Sequence, residues 1–245
     1  MDLVEALSAE RGVISVVGAG GKKSVMYRLA DVLDHAIVTA TVRIPPFAEH
    51  VGRLAVTTDP MSVLAEAADG DWPLGLVPEQ ERPDRYLGYD PSVVDEFSAH
   101  PSAETVLVKA DGARLRKFKA PAEFEPQVPS STTVVVPVVS AHVIGQPLSE
   151  ESVHRIDRVA ALTGLSPGQV MSPEAIATVL ASPEGGRKQV PSTAEVIPVI
   201  NMVDDDGIRR RAETLAQRLV DDGGFDRVVM TRLTAEQPVV DVVHG

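Results

Sequence analysis

Val13-Ile14-Ser15-Val16-Val17-Gly18-Ala19-Gly20-Gly21-Lys22-Lys23-Ser24 is the stretch on which the fold turns. Its first five residues are an apolar, largely β-branched run. Beyond Ser24, Val25, Met26, Leu29, Val32 and Leu33 recur at the spacing of one helical face. A strand, a glycine turn and an amphipathic helix therefore follow one another. Glycines in such a turn let backbone N–H groups converge on an anion, and the helix N-terminus adds partial positive charge. The expected site is a phosphate cradle built by the amides of Ala19 to Lys22, with Gly18, Gly20 and Gly21 shaping it and Lys22 reaching the outer phosphates. The Gly-x-x-x-x-Gly-Lys-Ser/Thr pattern fits imperfectly, because Lys23 stands where the hydroxyl belongs and Ser24 comes one residue late. The dinucleotide fingerprint fits less well: Lys23 replaces its third glycine, and no acidic residue ends the next strand.

The chain of 245 residues is long enough for one large α/β domain. It has no cysteine, which excludes disulfides and thiolate metal sites. No apolar run is long enough to span a bilayer, and the acidic start Met1-Asp2-Leu3-Val4-Glu5 is unlike a signal peptide. A cytoplasmic protein is the expectation. The formal net charge of −12 argues against nucleic acid and anionic membrane as partners. A Lys-poor, Asp-rich composition is also what a salt-adapted (halophilic) cytoplasm selects. With lysine only at 22, 23, 109, 117, 119 and 188, two adjacent lysines in one glycine loop stand out.

Outward from the loop, the pattern predicts a helix within 1–12, a strand over 13–17, a helix over 22–34 and a strand over 36–42 ended by Pro45-Pro46. A short strand within 51–60 and a helix over 61–68 follow. Residues 69–91, rich in Gly, Pro and charge, read as an irregular insertion around a short strand, anchored by Trp72, Tyr86 and Tyr89. Further on come a helix over 93–99, strands over 105–108 and 132–139, and helices over 150–163 and 173–181. A strand over 195–200, a helix over 206–222, and strands over 227–231 and 239–243 complete the chain. Alternating strands and helices predict a mostly parallel sheet with helices on both faces. Ligands in such sheets sit beyond the carboxyl ends of the strands. There Asp111 is placed to hold Mg²⁺ or, with Gly112, simply to make a turn, and Thr39 and Thr41 end the neighbouring strand either as contacts for a metal or phosphate or as plain β-formers. Asn201 and Asp204, in Asn-Met-Val-Asp, are spaced to grip a guanine base or to form a turn and helix cap. The basic stretch Arg114 to Lys119 lies near the same crevice. His142 and His154 match no metal spacing.

Taken together these residues resemble the selenium-dependent hydroxylase accessory proteins of YqeC type. The resemblance runs through Val17-Gly18-Ala19-Gly20-Gly21-Lys22, Ala110-Asp111-Gly112-Ala113-Arg114 and Lys119-Ala120-Pro121-Ala122-Glu123-Phe124-Glu125-Pro126. It continues in Gly145-Gln146-Pro147-Leu148, Val153-His154-Arg155, Gly185-Gly186-Arg187-Lys188-Gln189-Val190-Pro191 and Ile197 to Asp204. It implies a P-loop NTPase-like three-layer fold and a role in maturing molybdenum hydroxylases. Three departures fall on residues that would handle metal, hydrolysis or guanine. Lys23 replaces Thr, Lys109 replaces a Glu before Ala-Asp-Gly, and Met202 replaces Lys. Lys109 can neutralise phosphate charge that Mg²⁺ otherwise carries.

The expectation is a nucleotide-binding accessory protein and slow NTPase, taking GTP or ATP, with a molybdenum hydroxylase or its cofactor as partner. Lys22 and Asp111 would act on the phosphates. Gly18 to Ser24, Arg114, Asn201 and Asp204 would bind the nucleotide, and Ser24, Thr41 and Asp111 would hold Mg²⁺. The alternatives are a non-hydrolysing binder of a nucleotide or molybdopterin-type cofactor, and a small-molecule kinase or nucleotidyltransferase using Arg114, Arg116 and Lys117.

Overall fold

The computed structural model describes residues 1–245. The first half comprises α1 (Leu3–Ala6), β1 (Gly12–Gly18), α2 (Lys22–Ala30), β2 (Ala36–Ala40), β3 (Arg53–Val56), α3 (Pro60–Glu66) and β4 (Leu74–Val77). It goes on through β5 (Gln80–Arg82), β6 (Arg85–Tyr86), α4 (Pro91–Ser98), β7 (Thr105–Lys109) and β8 (Phe118–Lys119). The second half holds β9 (Thr132–Ser140), β10 (Val153–His154), α5 (Ile156–Thr163), α6 (Pro173–Ala181), β11 (Glu195–Val196) and β12 (Val199–Asn201). The chain closes with α7 (Asp206–Asp221), β13 (Arg227–Thr231) and β14 (Val239–His244).

One sheet of ten strands runs in the order β14-β13-β12-β9-β1-β7-β2-β4-β3, with β11 alongside β9. Every pairing in it is parallel except β13 with β14. Parallel strands are covered on both faces, which is why β1, β7 and β9 read as nearly continuous Val, Ile and Leu. Side-chain alternation separates the two faces. α1 and α2 pack on Ile14, Val16, Val38, Leu107, Val136 and Val229. The opposite face carries α3 and α4 over Ile37, Leu76, Val106 and Val108. Farther along that face, α5, α6 and α7 lie over Val139, Ile200, Val228 and Met230. Between these two groups the sheet is covered by loops alone, with Val128, Val190 and Ala194 over Val17, Ala110 and Val135. The expected three-layer α/β sandwich is the architecture found.

The differences from the sequence reading have local causes. Residues 69–91 are not simply an irregular insertion. Leu74–Val77 is buried at every residue and pairs with β2 and β3 inside the sheet, leaving only β5 and β6 as a separate ribbon. The strand expected over 195–200 is split in two. β11 pairs with β9 up to Val196↔Val135, and pairing resumes at Val199↔Val138. Pro198 and Pro137 fall in that gap, and neither has an N–H for the ladder. The helix expected over 150–163 begins only at Ile156, because Val153–His154 pairs in parallel with Phe118–Lys119 and Arg155 turns at φ 63°. Helix α2 stops at Ala30, leaving Val32 65% exposed. Helix α1 is one turn long.

Leu76 is fully buried in β4. Leu76→Ala is expected to lower unfolding free energy by about 2–5 kcal/mol in urea denaturation. A surface insertion would show almost no loss.

Candidate functional site

Strand β1 lies between β7 and β9, while the chain leaving it crosses over β7 to reach β2. Strand order therefore diverges beside β1, and at such a point a crevice opens at the carboxyl ends of the strands. The carboxyl ends of β1, β7, β9 and β12 deliver Gly18, Asp111, Ser140 and Asn201 to this edge. Lys22, the first residue of α2, is buried among them with 6% of its surface exposed.

Asp111 is the centre of the site. Its Oδ1 lies 2.9 Å from Lys22 Nζ, and its Oδ2 lies 2.8 Å from Lys119 Nζ. Oδ2 also accepts the Gly18 N–H at 2.9 Å. Lys22 Nζ donates back to the Gly18 carbonyl, so the ion pair spans the glycine loop. Lys119 donates further to the Gly112 carbonyl at 2.6 Å and to Glu125 Oε2 at 2.7 Å, and Arg155 reaches the same Glu125 oxygen at 2.8 Å. Lys119 is held there because β8 pairs with β10 while Phe118 is buried in the core. Lys188 ties down the adjoining loop through the carbonyls of Ala122 and Glu123.

Burial opposes ionisation of the Asp111 carboxyl, but the flanking Lys22 and Lys119 ammoniums outweigh it and hold the carboxyl below its ordinary range. Burial pushes the Lys22 ammonium below the usual lysine range against the pull of Asp111. Lys109, at the end of β7, is brought to about 7 by burial, helped by the Lys22 charge.

The glycines serve close packing of the loop on its own protein. At Gly20, φ is 94° and an added Cβ would stand 2.5 Å from the Ser140 nitrogen. At Gly21, a Cβ would collide with the Asn201 amide. Asn201 is engaged at both ends of its amide: its Nδ2 donates to the Gly20 carbonyl at 2.9 Å, and its Oδ1 accepts from Thr231 Oγ1 at 3.0 Å and from the Leu233 N–H. The structure thus brings Asn201 to the loop but spends its amide there. Asp204 is half exposed and pairs with His142 at 2.8 Å, and Asp205 is the cap of α7. The amides of residues 20–24 donate no turn, loop or cap hydrogen bond, and α2 has no side-chain cap.

The Mg²⁺ set does not assemble. Ser24 is exposed on α2, and the Thr41 hydroxyl donates to the Gln127 carbonyl at 2.6 Å. Thr39 likewise donates to Leu76, inside the sheet. Both Asp111 oxygens face ammonium groups. The donors present do not fit a divalent cation. Arg114 is exposed on a loop where Leu115 is 94% exposed, and both residues have positive φ. A cavity of about 20 Å³ beside Gly18, Asp111, Phe118 and Lys119 has room for one water molecule. The sequence reading missed Glu125 and Arg155 as members of the site and left Lys119 in a basic loop. Their signal was present in the Lys119–Pro126 and Val153–Arg155 stretches.

The family described as YqeC protein matches residues 14–157, which span the glycine loop, Asp111, Lys119 and Arg155. The chain belongs to the YqeC family. It is similar to the uncharacterized protein YqeC of Escherichia coli (strain K12), at 30% identity over 193 residues covering 77% of this chain and 75% of that protein. No solved structure matches the chain. No helix is long and apolar enough to cross a membrane.

Removing the Asp111 charge leaves two buried ammoniums uncompensated. Asp111→Asn is expected to cost about 3–5 kcal/mol of stability at neutral pH, measured by urea unfolding. Because the folded carboxyl sits below 3.8, its contribution is complete above that value and is lost as pH falls through the lower folded-state value. Wild type should therefore lose stability more steeply than Asp111→Asn as pH falls below about 4.

Proposed function

We propose that this YqeC-family chain binds a nucleotide through its phosphates at the N-terminus of α2, as an accessory protein in the maturation of molybdenum hydroxylases. The observation that carries the reading is the buried lysine cluster beside a glycine loop at the carboxyl edge of a parallel sheet. The amides of residues 20–24 and the α2 dipole supply donors for phosphate oxygens. Lys22 is already at the loop and exchanges its Asp111 partner for a phosphate oxygen. Lys119 continues to hold Asp111. The molybdenum role rests on the family resemblance alone.

A triphosphate bound here is cleaved slowly if at all. Phosphoryl transfer needs a group that orients the attacking water, and Asp111 is engaged by two lysines and the Gly18 amide. The same observation favours a second reading, in which a nucleotide or a molybdopterin-type phosphate is held without turnover.

Calorimetric titration with ATP, GTP and GDP tests the proposal. Binding of at least one is expected, weakened about tenfold or more in Lys22→Ala, the loss of one charge-assisted contact of about 1.4 kcal/mol. Failure of all three to bind the folded protein would overturn it.

A further inference from the structure

Four charged residues are buried in this protein: Lys22, Lys109, Asp111 and Lys119. Lys22 and Lys119 share Asp111, and Lys119 also has Glu125. Lys109 has no carboxylate within ion-pair distance. Its Nζ makes one hydrogen bond, to the Arg43 carbonyl at 2.8 Å, although only 7% of the residue is exposed. An ammonium has three N–H donors, so a buried lysine with one neutral partner is under-satisfied and uncompensated. Burial accordingly draws its ammonium down to about 7, and a ligand's negative charge beside it would hold the proton in place.

Its place in the fold says where that charge belongs. Lys109 ends β7, directly beside β1, with Val16 as its register partner. It sits two residues before Asp111, within electrostatic reach of Lys22 and Lys119. Its parity along β7 matches Leu107, the residue that faces α2. Lys22 and Lys119 meet at the loop edge, Lys109 stands one strand away with its Nζ on the Arg43 carbonyl, and the carboxylates in reach, Asp111 and Glu125, are consumed by other cations. At nucleoside triphosphate sites a divalent cation commonly neutralises phosphate charge. The positions that would hold it are exposed, hydrogen-bonded elsewhere or occupied by lysine.

We propose that Lys109 is the cation of a metal-independent polyphosphate site, taking with Lys22 the charge of the outer phosphates of a nucleoside triphosphate that Mg²⁺ would otherwise carry. This rests on the nucleotide reading above and names how that site is charged. A point-charge lysine suits a mobile phosphate oxygen, and Lys22 at the helix N-terminus with Lys109 at the end of the adjacent strand provide donors without a metal's coordination shell.

The test is calorimetric titration of the full chain with ATP, GTP and inorganic tripolyphosphate, in EDTA and in excess Mg²⁺, for wild type and Lys109→Met. Wild type should bind in EDTA at least as tightly as in Mg²⁺. Lys109→Met, nearly isosteric, should weaken binding in EDTA about tenfold, while its urea unfolding midpoint stays the same or rises because an unpaired buried ammonium is gone. Binding that requires Mg²⁺ would overturn this inference and leave the nucleotide reading standing. Unchanged affinity of Lys109→Met in EDTA would do the same. No binding in either condition would overturn both.

Discussion

The arrangement of the carboxyl edge depends on a single carboxylate shared by two buried lysines. Asp111 links the glycine loop after β1 through Lys22 and the Gly18 amide, and the small β8–β10 pair through Lys119. Each charge is costly to bury alone, and each is tolerable only because the others are in place. The glycine loop, the end of β7 and the β8–β10 pair are thereby fixed to one point. The second carboxylate, Glu125, extends the chain of pairs to Arg155 and closes the loop layer over the middle of the sheet.

The glycine loop is held from its other side by a neutral contact. Asn201 joins the Gly20 carbonyl to Thr231 and Leu233, so β12 and β13 brace the same turn that Asp111 grips. Between ionic and amide anchors the loop lies flat on Val138 and Ser140, at distances that leave no space for a Cβ at Gly20. The result is a compact, positively biased edge in which Lys109 alone among the buried lysines lacks a counter-charge.

Much of the fold was legible because its signals are local. The β-branched runs of β1, β7 and β9, the amphipathic α7 and the Pro-initiated α6 announce themselves within their own residues. A short strand was legible within 69–91, but the place of Leu74-Gly75-Leu76-Val77 inside the main sheet was hidden because it is short and flanked by Gly, Pro and charge. Its identity as a core strand comes from its neighbours β2 and β3. The break between β11 and β12 was hidden for the same reason: Pro198 matters there together with Pro137 on another strand.

The sequence by itself determined the strand–glycine–helix unit, the parallel α/β class and the clustering of Lys22 and Asp111 at one edge, since periodicity and strand-end position encode those. Only the tertiary structure decided partners. It turned Lys119 from a basic loop residue into a buried member of the site, and Asn201 into a brace for the loop. It drew Thr41 away into a bond with Gln127 and left Ser24 in solvent. Ionic and hydrogen-bond partners are chosen by contacts between distant segments, and no local pattern of residues records which contact prevails.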